Sequence, residues 1–207
     1  MDRLWLAIVL GAALGAASAF AVRLLCALLL KQRDLPAGMS KKHFWILLGS
    51  LVVAGAAVGW RAGVTPRGAY LILLLCVSAS AFYIDALYRV IPNQLVLAVL
   101  ALSAVFGLTG AAPFHIVSSL IGFAVCFVLF FIPAAWGRKI GAGDVKFAAA
   151  VGFALGFTGS LYAIVGMGAF VLAYMFLFQR VPMAEKWKTM IPMGPFLSLA
   201  LVVVSVL

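Results

Sequence analysis

Long apolar runs alternate along the chain with short breaks rich in charge, proline and glycine. The runs fall at about residues 4 to 30, 44 to 60, 68 to 87, 93 to 109, 114 to 135, 144 to 158, 160 to 178 and 192 to 207. Most have roughly the 17 to 25 residues that a helix needs to cross a hydrocarbon core of about 30 Å, whereas barrel strands would be about ten residues long and alternate in polarity. The pattern predicts an all-α, polytopic membrane protein of about eight transmembrane helices. The breaks, Lys31 to His43, Arg61 to Arg67, Tyr88 to Pro92, Gly110 to Pro113, Trp136 to Gly143, a turn at Thr158 to Gly159, and Gln179 to Ile191, are each too short for a soluble domain. Residues 1–207 therefore read as a single integral membrane domain without an internal repeat.

Composition strengthens this reading, because 67% of the 207 residues are hydrophobic and only 10% are charged. A soluble domain of this size cannot hide that much apolar surface behind a polar shell. The net charge of +10, from 15 Lys and Arg against 5 Asp and Glu, would suggest nucleic acid in a soluble protein. Here the basic residues sit in the breaks, where they set topology and meet anionic lipid headgroups, so no nucleic-acid partner is expected. Eight crossings place both termini on one side. The breaks after the first, third, fifth and seventh runs, with their helix edges, hold Lys31, Arg33, Lys41, Lys42, Arg89, Arg138, Lys139, Lys146, Arg180, Lys186 and Lys188; the other side holds only Arg3, Arg61 and Arg67. This positive-inside bias predicts that the first set is cytoplasmic and both termini extracytoplasmic.

Several features carry less. Met1 to Ala16 followed by Ala17-Ser18-Ala19 has the outline of a signal peptide, but Asp2 beside Arg3 weakens the charged region and the apolar run continues to Leu30, so retention as a first helix is expected. Cys26, Cys76 and Cys126 lie far apart within apolar runs and read as small buried hydrophobes. His43 and His115 have no acidic or cysteine neighbours, so no metal site is expected. Trp45, Trp60, Trp136 and Trp187 mark membrane interfaces.

The acids are more informative. Asp2, Asp34 and Glu185 fall at a terminus or among basic loop residues, whereas Asp85 ends the third run and Asp144 opens the sixth. An ionisable group at membrane depth costs a few kcal/mol, and so calls for a function or a partner. The topology puts both acids at cytoplasmic helix ends, able to face each other. Two close carboxylates share a proton, so that one draws a proton from water while the other donates to a carbonyl oxygen; that equipment hydrolyses a peptide without metal or covalent intermediate. Gly141 and Gly143 allow close approach of backbone and substrate before the helix. Asp144, at a helix N-terminus, leans towards the charged role and Asp85, at a C-terminus, towards the protonated one. Against this stands a structural reading in which Asp144 is a helix cap and Asp85 pairs with Arg89. Pro92 stops one helix and Asn93 can cap the next. Lys146 lies about 200° round the helix from Asp144, which fits snorkelling to the headgroups as well as a catalytic part. Pro192, Gly194 and Pro195 break the backbone near membrane depth, as at a cleft or a kinked helix start.

Three segments carry a family resemblance. Ile84-Asp85-x5-Ile91-Pro92-Asn93-Gln94-Leu95 resembles the first aspartate motif of the type IV prepilin peptidases, and Gly141-Ala142-Gly143-Asp144-Val145-Lys146 resembles their second, Gly-x-Gly-Asp-x-Lys. Ile191-Pro192-Met193-Gly194-Pro195-Phe196-Leu197 is similar to the Pro-Phe-Gly-Pro-Phe run that opens the family's last helix, and the three together cover about residues 70 to 200. The resemblance implies a multi-pass aspartyl endopeptidase of the bacterial inner membrane, with Asp85 and Asp144 as the catalytic pair. It would remove the basic leader of type IV prepilins or pseudopilins on the cytoplasmic side, the substrate's leader and N-terminal helix being its partners. Family cleavage follows a Gly, before a residue that is often Phe, and many substrates carry a Glu soon after the cut. Larger members also carry a cytoplasmic domain between their first two helices, often with paired C-x-x-C zinc motifs, and N-methylate the new terminus using S-adenosylmethionine. The connection Lys31 to His43 is short and lacks cysteine, so this chain is expected to work without cofactor and without methylation. Two alternatives differ in class. A presenilin-like protease would carry a Pro-Ala-Leu motif, absent here, and a small transporter or proton channel would place acids nearer helix middles within an inverted repeat.

Overall fold

The structure, a computed structural model, describes residues 2–36, 38–112, 115–136, 140–177 and 193–206. Among these residues it is all helical: α1 Asp2–Lys31, α2 Lys41–Ala62, α3 Pro66–Tyr88, α4 Asn93–Leu108, α5 Ile116–Ala135, α6 Ala142–Leu177 and α7 Gly194–Val206. Five of them, α1, α2, α3, α5 and α6, are long and apolar enough to cross a membrane, while α4 and α7 are shorter apolar helices. Arg138, Lys139, Arg180, Glu185, Lys186, Trp187, Lys188 and Pro192 lie outside the described residues.

Local chemistry sets most helix ends. The Ser40 hydroxyl accepts the His43 N–H at 3.2 Å to open α2, and Gly63, at φ 64°, closes it. Thr65 caps α3 through the Gly68 N–H at 3.1 Å, with Pro66 in the first turn, where its missing donor costs nothing. One expectation changes here, since Pro92 is itself the N-cap of α4 and makes no side-chain cap bond, leaving Asn93 at the first helical position.

The sixth and seventh apolar runs form two helices that meet at Gly156, and the chain doubles back there: the Tyr174 ring lies 5.6 Å from that of Phe196, at the same end of the bundle as Asp144 and Asp85. A straight helix of 36 residues would be about 54 Å long, well beyond a hydrocarbon core of about 30 Å. Gly156 instead divides the stretch at φ 68°, ψ −175°, backbone essentially open to glycine alone. The Ser118 hydroxyl of α5 accepts the Phe157 N–H at 3.0 Å. The break expected at Thr158 to Gly159 therefore falls at Gly156, because α5 supplies a partner for the amide that the kink releases.

Small residues bring helices into close contact. Gly11 and Gly15 of α1 lie against Gly55, Gly59 and Leu51 of α2, and Gly122 of α5 lies against Gly152 and Gly156 of α6. Without a hydrophobic drive between helices in lipid, such close backbone packing is a main source of association. Tyr70 and Phe147 are among the largest fully buried side chains. Ser103 donates to the Val99 carbonyl at 2.8 Å, so the Tyr70 hydroxyl, 3.3 Å away, is the donor to Ser103. Outward-facing Leu6, Phe20, Trp45, Val53, Leu97, Val165 and Phe176 leave an apolar surface that suits lipid.

α7 runs antiparallel to α3. At one end the Gly194 N–H meets Asp85, and at the other the Arg61 Nε donates to the Val206 carbonyl at 3.2 Å. The turn after α1 is tied to the Asp85 end as well, since the Tyr88 hydroxyl donates to the Pro36 carbonyl at 2.6 Å and Gln94 bonds Gln32 at 3.1 Å. The connections after α1 and α3 and the starts of α6 and α7 thus share one end of the bundle.

Candidate active site

Asp85 occupies the last turn of α3 and is 3% exposed. Its carboxylate Oδ2 accepts the Gly194 N–H at 3.0 Å. This N–H opens α7, whose ladder begins with the Leu197 N–H donating to the Met193 carbonyl at 3.0 Å. Asp85 therefore caps a helix 109 residues away, satisfying one of the donors that a helix start leaves orphaned. Pro195 follows within the first turn, where no N–H is missed. A Cβ on Gly194 would stand 2.7 Å from Oδ2 and 2.9 Å from Cγ of Asp85, so any larger residue would have to displace the carboxylate or the helix.

Arg89 follows α3 in the left-handed conformation, at φ 53° and ψ 40°, and its N–H bonds the Asp85 carbonyl at 2.9 Å. Glycine usually fills such a position. The reversal leads to the buried Ile91-Pro92 turn that begins α4. Arg89 acts on the Asp85 carboxylate through its charge, while the direct hydrogen bond comes from Gly194. Pairing with Arg89 is thus only part of the account of Asp85.

Asp144 lies in the first turn of α6 and is half-buried. The Gly141 carbonyl accepts both the Asp144 N–H at 3.0 Å and the Val145 N–H at 3.3 Å, which makes Gly141 the cap residue. In return the Gly141 backbone bonds the Asp144 side chain, the reciprocal geometry of a capping box. The helix-cap reading of Asp144 is correct as far as it goes. It leaves Oδ1 buried without a hydrogen-bond partner, and a buried polar atom in that state asks for a water or substrate group. Both aspartates face helix N-termini, Asp144 that of its own α6 and Asp85 that of α7. Helix polarity therefore does not separate their roles in the way expected from α3 and α6 alone.

The two motifs dock on each other. A Cβ on Gly143 would meet Ile91 Cβ at 3.3 Å and Ile91 O at 3.4 Å, so the start of α6 packs closely against the turn before Pro92. The Lys146 Nζ donates to Asn93 Oδ1 at 3.4 Å on the exposed side of this junction, which gives both side chains a defined place. Asp85 and Asp144 are brought within electrostatic range of each other. Gly194 and Pro195 join them, while Pro192 lies outside the described residues. The Gly194 bond to Asp85 was not anticipated from the sequence; its only trace there is the acid-free Pro-x-Gly-Pro run, which carries no sign of its partner.

Membrane-length helices with two acids brought together at one end of the bundle define a multi-pass helical membrane protein with a two-carboxylate site. The profile of the type IV leader peptidase family matches residues 71–178 of the 207, and the chain belongs to that family of peptidases. The matched stretch contains Asp85, Pro92, Asn93, Gly141, Gly143, Asp144 and Lys146, and it ends before Gly194. No curated protein and no solved structure matches the chain significantly.

Proposed function

We propose that this chain is an aspartyl endopeptidase that removes the basic leader of type IV prepilins or pseudopilins at the cytoplasmic face of the bacterial inner membrane. The observation that carries this reading is the meeting of Asp85 and Asp144 at one bundle end, with one Asp144 oxygen buried and unpartnered. In the reaction one carboxylate is ionised and the other protonated. The ionised acid takes a proton from water as the water oxygen bonds the scissile carbonyl carbon, and the protonated acid gives its proton to the carbonyl oxygen. The tetrahedral product collapses with cleavage of the C–N bond, and the leaving amine takes a proton from the acid that received one. The Gly194 and Gly141 backbones hold one oxygen of each acid, leaving the others to face water and substrate.

The same reading gives eight crossings with both termini extracytoplasmic. Its support is charge placement: Lys31, Arg33, Lys41, Lys42, Arg89 and Lys146 belong to the end that holds the aspartates, whereas Arg61 and Arg67 belong to the other. Co-expression with candidate prepilins, scored by the mobility of the product, tests the activity. Reporter fusions after Lys139 and Gln179 test the topology, and an extracytoplasmic signal from either would overturn it.

A further inference from the structure

A cavity of about 460 Å³ lies between α2, α3 and α7. Phe82, Tyr83 and Ala86, sequence neighbours of Asp85 on α3, form part of its wall, so the cavity lies along the same stretch of α3 as the carboxylate. Its lining is apolar except for a few groups, among them Ser78 of α3 and Ser198 of α7. These serines are only 1% and 2% exposed, and neither hydroxyl oxygen has a hydrogen-bond partner. Other buried serines bond back to their own helices: Ser80 to the Cys76 carbonyl at 2.9 Å, Ser103 to Val99 at 2.8 Å and Ser160 to Phe157 at 2.7 Å. Four serine hydroxyls among the described residues are buried and unpartnered, those of Ser78, Ser119, Ser198 and Ser205, and two of the four line this one cavity.

Their depth relative to the acids is set by helix geometry. Ser78 precedes Asp85 by seven residues, about 10 Å along α3, and Ser198 follows Gly194 by four, about 6 Å along α7. Two or three residues of extended chain, at about 3.3 Å each, span the same distances. A peptide bond reaches the two carboxylates only where the substrate backbone is unwound. At membrane depth, the N–H and C=O groups freed by unwinding need partners from the protein. An apolar cavity with two unsatisfied hydroxyls, about two helical turns from Asp85 on α3 and about one from Gly194 on α7, meets that requirement.

We propose that the groove between α2, α3 and α7 receives the stretched apolar segment just after the cut, with Ser78 and Ser198 bonding its backbone at about the second and third residues past the scissile bond. This inference rests on the peptidase reading above. The leader, being basic, stays at the aqueous end, so the segment that descends into the groove is the start of the mature chain.

The test uses full-length enzyme in detergent with a prepilin that the wild type processes. Ser78→Ala and Ser198→Ala are each expected to raise KM about five- to tenfold with kcat little changed, since the lost bond serves ground and transition states alike. Thermal stability should hold or rise, because each change removes an unsatisfied polar atom. A photoreactive residue at the third position past the cut, bound to the uncleaving Asp144→Asn enzyme, should cross-link to peptides containing Ser78 or Ser198. A double serine variant with wild-type KM, or cross-links confined to α4 and α5, would overturn the groove while leaving the peptidase reading intact. Absence of processing by the wild type would overturn that reading and the groove with it. Where a serine variant fails to fold, the cross-link, made with both serines present, decides the matter.

Discussion

Asp85 and Gly194 are 109 residues apart in the chain and meet at 3.0 Å, the carboxylate of one accepting the first N–H of the helix that the other opens. The contact does two things at once. It satisfies a donor at a helix start inside an apolar bundle, and it orients a carboxylate at the end of the bundle where Asp144 also lies.

Gly194→Ala is therefore expected to lower kcat/KM by about a hundredfold, the usual scale for a small misplacement of a reacting group. The added Cβ would stand 2.7 Å from Asp85 Oδ2. Steady-state kinetics paired with thermal unfolding would check it. A fall in activity with nearly unchanged melting temperature is the expected pattern, and wild-type kinetics would show that α7 yields instead.

For the two acids, Asp85→Asn and Asp144→Asn should each abolish leader removal while membrane insertion persists. The double variant should be little worse than either single one, because groups that act as a unit are not additive. Gel mobility of a co-expressed prepilin measures all three variants, and normal processing by either single variant would remove the pair from the mechanism.

The Lys146 to Asn93 bond is long, at 3.4 Å, and exposed. Polar contacts of that kind contribute little, so Lys146→Ala and Asn93→Ala should each reduce activity by less than about tenfold, and the double variant by no more than the larger single effect. A hundredfold loss confined to Lys146→Ala would instead give the ammonium a direct part in the reaction.

At the kink, Gly156→Ala should destabilise the protein by about 1–3 kcal/mol, since alanine is strained at φ 68° and its Cβ would lie 2.8 Å from the Ser118 hydroxyl. Thermal unfolding in detergent gives the comparison. Gly159→Ala, three residues on and without a positive φ, separates strain at the kink from packing, because its Cβ would be as crowded, 2.8 Å from Leu155 Cβ, without the strained backbone.

Methyl transfer needs a pocket that buries a charged cofactor beside the new amino terminus, usually a few hundred Å³. The short Lys31 to His43 connection is too small to build one alone. Purified enzyme incubated with prepilin and S-adenosylmethionine is expected to yield an unmethylated product and to stay active in chelators. Mass spectrometry of the product's N-terminus reads this directly, and a gain of one methyl group would show that the chain carries both activities.

Much of the architecture was legible because it depends on neighbours in the chain. Apolar runs of membrane length become helices, Pro66 and Gly63 act on their own turns, and Asp85 and Asp144 stand out because an acid at the edge of an apolar run is costly wherever the run is placed. The spacing from Asp85 to Pro92 and the Gly-x-Gly-Asp run were likewise local enough to be read directly. What only the tertiary structure decided involves partners far apart in sequence. Two glycines, Gly156 and Gly159, were available for the break near residue 158, and Ser118 on α5 settled which one bends. Gly194 lay in a motif whose partner could not be named, until α7 packed antiparallel to α3 and set its first N–H on Asp85. Which Asp144 oxygen stays free, and that Ser78 and Ser198 share a groove, follow from the same packing. Hydropathy and turn chemistry sum over a few adjacent residues, but a hydrogen bond between helices depends on how whole faces of small side chains let their backbones approach.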